Sequence, residues 1–184
     1  MALPGPVVRT ATPDDAPAIV SLVESAYRGE SSRAGWTTEA DLLGGQRTDL
    51  AEVTAVLASP ACQMLLAVDD DGTLVGCCEV ERRADSAYFG MFAVSPPMQG
   101  RGIGDMLLAR AEELAREEWA APRMEMLVIS VRTELIRWYE RRGYQLTGRT
   151  EPFPYGDERF GVPLRDDLEF VVLEKDLKPA RIPD

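Results

Sequence analysis

Histidine is absent from all 184 residues of this chain, and cysteine is nearly so: Cys62, Cys77 and Cys78 are the full set. Without histidine there is no Ser-His-Asp or Cys-His nucleophile and no zinc site built on imidazole, and no metal is expected. Three cysteines, two of them adjacent, do not make a disulfide framework. No run of 18 apolar residues is present, so no membrane span is expected. The opening MALPGPVVRTATPDD lacks a basic segment followed by an apolar one, the pattern of a secretory signal, so a cytoplasmic protein is expected. Positive charge is in deficit: 20 Lys and Arg stand against 31 Asp and Glu, a net −11. That balance argues against non-specific nucleic-acid binding. It suits either plain solubility or a cationic small substrate.

What is present reads as one globular domain over 1–184, with 45% hydrophobic and 28% charged residues and length enough for a real core. VVRTA (7–11) has the look of a strand. Thr12-Pro13-Asp14-Asp15 then starts a helix, with a Thr cap, proline in the first turn and acids near the positive end. The polar stretch after Tyr27 is expected to hold loop and a short helix from about Thr37 or Thr38, and Asp49 to cap a helix over LAEVTAVLA. The period then changes to strands: QMLLAV (63–68), a DDDG turn, TLVGCCEVERR (73–83) and AYFGMFAV (87–94). Ile103, Met106, Leu107, Ala111, Leu114 and Ala115 give one apolar helix face, ending near Trp119. MEMLVISV (124–131) is a buried strand and ELIRWYERR (134–142) a helix closed by Gly143; YQLTGRT and LEFVVLEKDL are two last strands. The expected fold is mixed α/β. A mostly antiparallel sheet of six or seven strands contains one parallel βαβ unit, 88–131, with helices on both faces.

Glycine stands at 100, 102 and 104, in SPPMQGRGIG, just ahead of a helix. The first amides of a helix lack internal partners and carry the positive end of its dipole, so an anion satisfies both. Side chains at these three positions would hold a diphosphate away from those amides. The alternative is that the glycines serve a tight turn and close packing. A nucleoside-triphosphate loop would need Lys-Ser/Thr after its last glycine, and Ile103-Gly104-Asp105 stands there instead. A dinucleotide fingerprint would need glycine at 105, despite an acid at Glu125, and a tighter turn than Ser95-Pro96-Pro97-Met98.

The run Gln99-Gly100-Arg101-Gly102-Ile103-Gly104, a Q-x-x-G-x-G after MFAVSPP, resembles the acetyl-CoA motif of the GNAT superfamily of N-acetyltransferases. VRTELIRWYERRGY (131–144) resembles that superfamily's later strand–helix signature, with Tyr139, Gly143 and Tyr144 in its Tyr-x-x-x-Gly-Phe/Tyr ending. One departure is Arg132, where the family often has asparagine. The resemblance covers about 62–175 and implies a sheet whose strands 88–94 and 124–131 splay apart. It implies that acetyl-CoA enters the wedge, its pantetheine arm on backbone groups of Phe92, Ala93 and Val94. Its diphosphate would then lie on the amides of Gln99, Gly100, Arg101, Gly102, Ile103 and Gly104, with Arg101 adding charge.

It implies direct acetyl transfer to an amine, with Tyr139 as general acid and the Val94 or Ala93 amide as oxyanion donor. The base is read from position: Glu79 and Glu81 share a face of the strand beside the thioester. Tyr88 matches a position that carries a glutamate base in some relatives, a role a phenol does not inherit. The five arginines of 132–149 (132, 137, 141, 142, 149) could draw the nucleotide end, or simply complement a helix end. The acceptor, a small-molecule amine or peptide, is expected between loops 27–47 and 151–166. Tyr27, Trp36, Glu39 and Phe153 are its candidate contacts, beside Tyr155, Phe160, Glu30, Asp157 and Glu158. An open strand edge at the wedge is compatible with a homodimer. Two other functions stay open at this point: a non-catalytic acyl-CoA sensor on the same fold, and a dinucleotide oxidoreductase.

Overall fold

The structure, a computed structural model, describes residues 5–177. Strand β1 (Val7–Thr10) runs to Thr12, whose amide donates to the Asp15 carboxylate at 2.7 Å, and a 3-10 turn at Pro13–Asp15 opens helix α1 (Ala16–Tyr27). Helix α2 (Gly29–Arg33) and the two-residue strand β2 (Leu43–Gly44) follow. Helix α3 (Leu50–Ala58) starts where Asp49 accepts the Glu52 amide at 2.8 Å. Strands β3 (Cys62–Val68), β4 (Leu74–Arg82) and β5 (Ala87–Val94) form a meander. Then come α4 (Ile103–Glu113), which widens into a π turn at Leu114–Glu118, β6 (Arg123–Ile129), α5 (Thr133–Glu140), β7 (Gln145–Pro152), β8 (Val162–Pro163) and β9 (Glu169–Asp176).

The main sheet has seven strands in the order β1-β3-β4-β5-β6-β9-β7, and β2 pairs with β8 in a separate two-stranded ribbon. Every pairing in the main sheet is antiparallel except β5 with β6. The alternation along β3 divides the core. Leu65 and Ala67 face α4 and α5 with Leu107, Leu114 and Tyr139; Met64 and Leu66 face α1 and α3 with Ile19, Val23 and Val53. Helices therefore cover both faces, as expected.

Two features of β5 open a site. Its parallel pairing with β6 spans only Ala87↔Met124 and Tyr88↔Glu125, so from Phe89 onward the two strands part. Between Gly90 and Ala93 two residues oppose the single Cys78 of β4, a β-bulge with Met91 at φ 43. A left-handed, non-glycine residue costs about 1–3 kcal/mol and persists only where its surroundings fix it. Here the Met91 carbonyl meets the Cys77 thiol at 3.6 Å, and the next carbonyl, Phe92, accepts from the Tyr27 hydroxyl.

The helix expected from Thr37 or Thr38 does not form. Thr38 instead accepts the Ala40 amide at 3.0 Å, a local bond that competes with helix, and the short helix lies earlier, at Gly29–Arg33. The buried Ser32 hydroxyl ties the two segments, lying 2.6 Å from Thr38 Oγ1.

Candidate active site

The parted strands leave two cavities that meet in the wedge. The first, of 280 Å³, lies against the start of α4. The second, of 260 Å³, lies toward β2, β8 and the end of α1. Tyr27, Phe92, Arg132 and Leu135 line both.

On the first side the backbone does most of the work. Met106 N–H to Gly102 O, at 3.0 Å, is the first helical hydrogen bond of α4. The amides of Gly102, Ile103, Gly104 and Asp105 find no acceptor among the described residues, as the geometry of a helix start requires. The three glycines divide by purpose. Gly100 and Gly102 sit at φ 77 and 81, where a side chain is strained, and a Cβ there would meet nothing within 4 Å. Gly104 has ordinary φ, and its Cβ would stand 3.1 Å from the Phe92 ring, so it serves packing. Arg142 stacks 3.5 Å over the Trp138 ring, pairs with Asp105 in the first turn of α4, and lines the cavity. Arg101 is exposed and does not line it.

Along β5 the ladder decides which backbone groups are free. Ser95 N–H bonds Val75 O at 2.9 Å, so by antiparallel alternation Ala93 faces β4 while Val94 turns its amide and carbonyl to the open edge. The Gln99 side chain bridges this edge to the next loop. Its Nε2 donates to Val94 O at 3.1 Å, and its Oε1 accepts the Trp36 amide at 2.5 Å.

On the second side the chemistry is in side chains. Tyr139 is buried among Phe92, Trp138 and Tyr144, and lines this cavity. Its hydroxyl bonds no described residue, and burial pushes its pKa well above the usual phenol range, so it stays protonated. Glu79 lines the same cavity opposite Gly90 of β5. Burial raises its pKa, opposed by the Cys62 thiol. Tyr88 is pushed up to about 12 by burial and the Glu79 charge. Arg28 and Arg132 share one carboxylate, Glu39, at 2.7 and 2.8 Å, and Arg132 also donates to Thr37 at 2.8 Å. Burial would raise the Glu39 pKa, but Arg132, Arg47 and Arg28 outweigh it and hold it below the ordinary range.

The family model described as the acetyltransferase (GNAT) family matches residues 21–144, more than half of the chain. The chain belongs to the GNAT acetyltransferase family. Solved structures of GNAT proteins share its fold. A nourseothricin acetyltransferase is 23% identical, with TM-score 0.67 over 95% of this chain and 100% of that one. The yncA acetyltransferase of Salmonella typhimurium, solved with its cofactor acetyl-CoA, is 20% identical, with TM-score 0.70 over 98% and 99%. The ribosomal-protein-S18-alanine N-acetyltransferase of Escherichia coli is 13% identical, with TM-score 0.69 over 95% and 96%. No curated protein matches the chain. These names span nourseothricin and a ribosomal-protein alanine, so the acceptor of this GNAT chain follows only from its own cavity.

The residues singled out in the sequence sort between the two sides of this GNAT wedge. Phe92, Ala93, Val94, Gln99, Gly100, Gly102, Ile103 and Gly104 line the first cavity; Arg101 does not. Trp36, expected beside the acceptor, is half-exposed and lines the first cavity, drawn there by Gln99. Tyr27, Glu39 and Phe153 line the second. Glu81 does not: it is paired with Arg83 at 2.8 Å, one strand turn nearer solvent. Glu30 pairs with Arg33 and Asp157 with Arg159, so neither offers the second cavity a free charge. Glu52 lines the second cavity and lies outside both expected acceptor loops; Arg47, at the end of the loop 27–47, lines it too but is not among the expected contacts.

Proposed function

We propose that this protein is an acetyl-CoA-dependent N-acetyltransferase, cytoplasmic and acting as one domain, that moves acetyl directly to the primary amine of a small molecule or peptide. The observation that carries the reading is the wedge itself. Free helix-start amides lie on one side, and an unbonded, protonated Tyr139 hydroxyl on the other. The first cavity fits the coenzyme on its own geometry: open left-handed glycines, four unbonded amides, and Arg142 alongside. Bound there, acetyl-CoA supplies the thioester.

The outward Val94 amide offers an extended arm a donor, and the Phe92 and Val94 carbonyls, which accept from Tyr27 and Gln99, each keep a second lone pair for it. Val94 N–H is the donor free to steady the oxyanion as the amine attacks. In the transfer a carbon–nitrogen bond forms and the carbon–sulfur bond breaks. Glu79 takes a proton from the amine, directly or through water. Tyr139 holds a hydrogen bond on the departing thiolate. A phenol near 10 against a thiol near 8.5 already makes full proton transfer uphill by about 2 kcal/mol, and burial of Tyr139 adds to that. Its role is therefore hydrogen-bond donation, with the proton supplied finally by solvent.

A thiol-release assay with acetyl-CoA over an amine panel tests the reading. Release that depends on a particular amine supports it. Tight coenzyme binding with no amine-dependent release would make the protein an acyl-CoA sensor. Preference for a nicotinamide dinucleotide over coenzyme A would remove the transferase.

A further inference from the structure

The second cavity is balanced in charge where the chain as a whole is acidic. The protein carries −11, yet Arg28, Arg47 and Arg132 line this cavity against Glu39, Glu52 and Glu79. Glu39 is shared between Arg28 and Arg132, and Glu52 accepts from the Thr48 hydroxyl at 2.6 Å. Arg47 is left over. Among the described residues its guanidinium makes no ion pair and no hydrogen bond. It lies 5.3 Å from the Tyr27 ring centroid, and its field reaches Tyr88 and Glu79. A second observation has the same sign: the Nε and Nη2 atoms of Arg28, a residue 6% exposed in the same wall, have no partner. A guanidinium withdrawn from water is costly unless an anion meets it. Glu39 is already doubly paired, but Glu52 and Glu79 make no ion pair among the described residues, so one guanidinium and two carboxylates face the cavity together, a set that suits a zwitterion better than a polycation.

We infer that the acceptor is an amine carrying its own carboxylate, an apolar free α-amino acid, with the carboxylate on Arg47 and the side chain against Phe153 and Phe170. This rests on the acetyltransferase reading and narrows it. The amine then lies between Arg47 and Glu79, where a carboxyl raised by burial takes up its proton. A peptide end, whose nearest carboxyl is an amide, lacks the group that Arg47 meets. Phe153 and Phe170, 5.7 Å apart, form a wall without charge for the remainder.

The test compares methionine, leucine and phenylalanine, each as free acid and as amide, with spermidine as the cationic control. Thiol release gives kcat/KM for each. Calorimetry, with and without coenzyme A, gives the affinities of the N-acetyl acids and N-acetyl amides. The wild type should favour acids over amides by at least tenfold in one or both readouts. Arg47→Gln should erase that ratio, and Arg47→Lys should restore part of it, each variant being checked for an unchanged melting temperature. Equal use of acid and amide, a preference for spermidine, or a ratio that survives Arg47→Gln would overturn the inference. Amine-dependent thiol release without acid preference sinks the inference alone. If no amine raises release, the transferase reading falls, and the binding ratio still decides whether Arg47 is a carboxylate site.

Discussion

The two cavities are built by different means. The first is made of contiguous chain: a strand end, a loop and the start of α4 present backbone groups, and glycine keeps them bare. The second is assembled from distant segments, held by ion pairs such as Arg132–Glu39 that join residues 93 apart. Main-chain amides recognise a common feature of the donor, and side chains a particular acceptor. The first kind of site follows from local sequence. The second exists only once α1, the 36–48 loop, β4 and α5 have come together.

The largest effect should come from breaking what assembles the second cavity. Glu39→Gln leaves two buried guanidiniums facing no carboxylate and should cost about 3–5 kcal/mol of stability. At about 2–4 °C per kcal/mol for a chain of this size, the melting temperature falls by roughly 6–20 °C. The folded Glu39 pKa lies below the ordinary range, so its contribution is full above that range. It is lost as pH falls through the lowered value, and the variant should lose that acid limb. A neutral Glu39→Gln would mean the triad does not hold this side together.

Next in size is Tyr139→Phe, which removes one hydroxyl at the junction of the two sides. Turnover should fall about 100-fold with acetyl-CoA affinity little changed. Unchanged turnover would return Tyr139 to the core aromatics around it. Gly102→Val acts on the first side alone, straining a left-handed residue and crowding the amides. It should weaken acetyl-CoA binding about tenfold or more, and loss of stability at normal affinity would make that glycine a turn device. The smallest expected effect is in pH dependence. With Glu79 as base, kcat should fall with acid through a pKa above the usual carboxylate value, because burial raises it. Glu79→Gln should abolish that limb; a limb that persists assigns it to another group.

The same contrast explains what was legible in the sequence. Most of the elements along the chain, the meander, the parallel unit and the glycine loop follow from period, caps and spacing, which are local; the place of β9 between β6 and β7 does not. The π widening at the end of α4, the bulge at Met91 and the β2–β8 ribbon are not, because each depends on packing across the sheet. Arg101 misled by lying inside the motif, since loop direction decides exposure and spacing does not report it. Arg142, named only within a basic cluster, reaches the first cavity because Trp138 supports it. Glu79 and Glu81 have equal claims by alternation, and only the depth of the strand beneath α1 separates them. Arg47 is legible only as the end of the expected acceptor loop 27–47: that its guanidinium lines the cavity without a hydrogen bond among the described residues appears only once the loop has folded against α1 and β4.

The most direct measurement is a crystal structure of the protein soaked with acetyl-CoA. The diphosphate should lie within hydrogen-bond distance of the Gly102–Asp105 amides, the arm along the outward edge of Phe92 and Val94, and the sulfur beside the Tyr139 hydroxyl. A coenzyme bound elsewhere, or a wedge that stays closed by Gln99 at saturating acetyl-CoA, would contradict that placement.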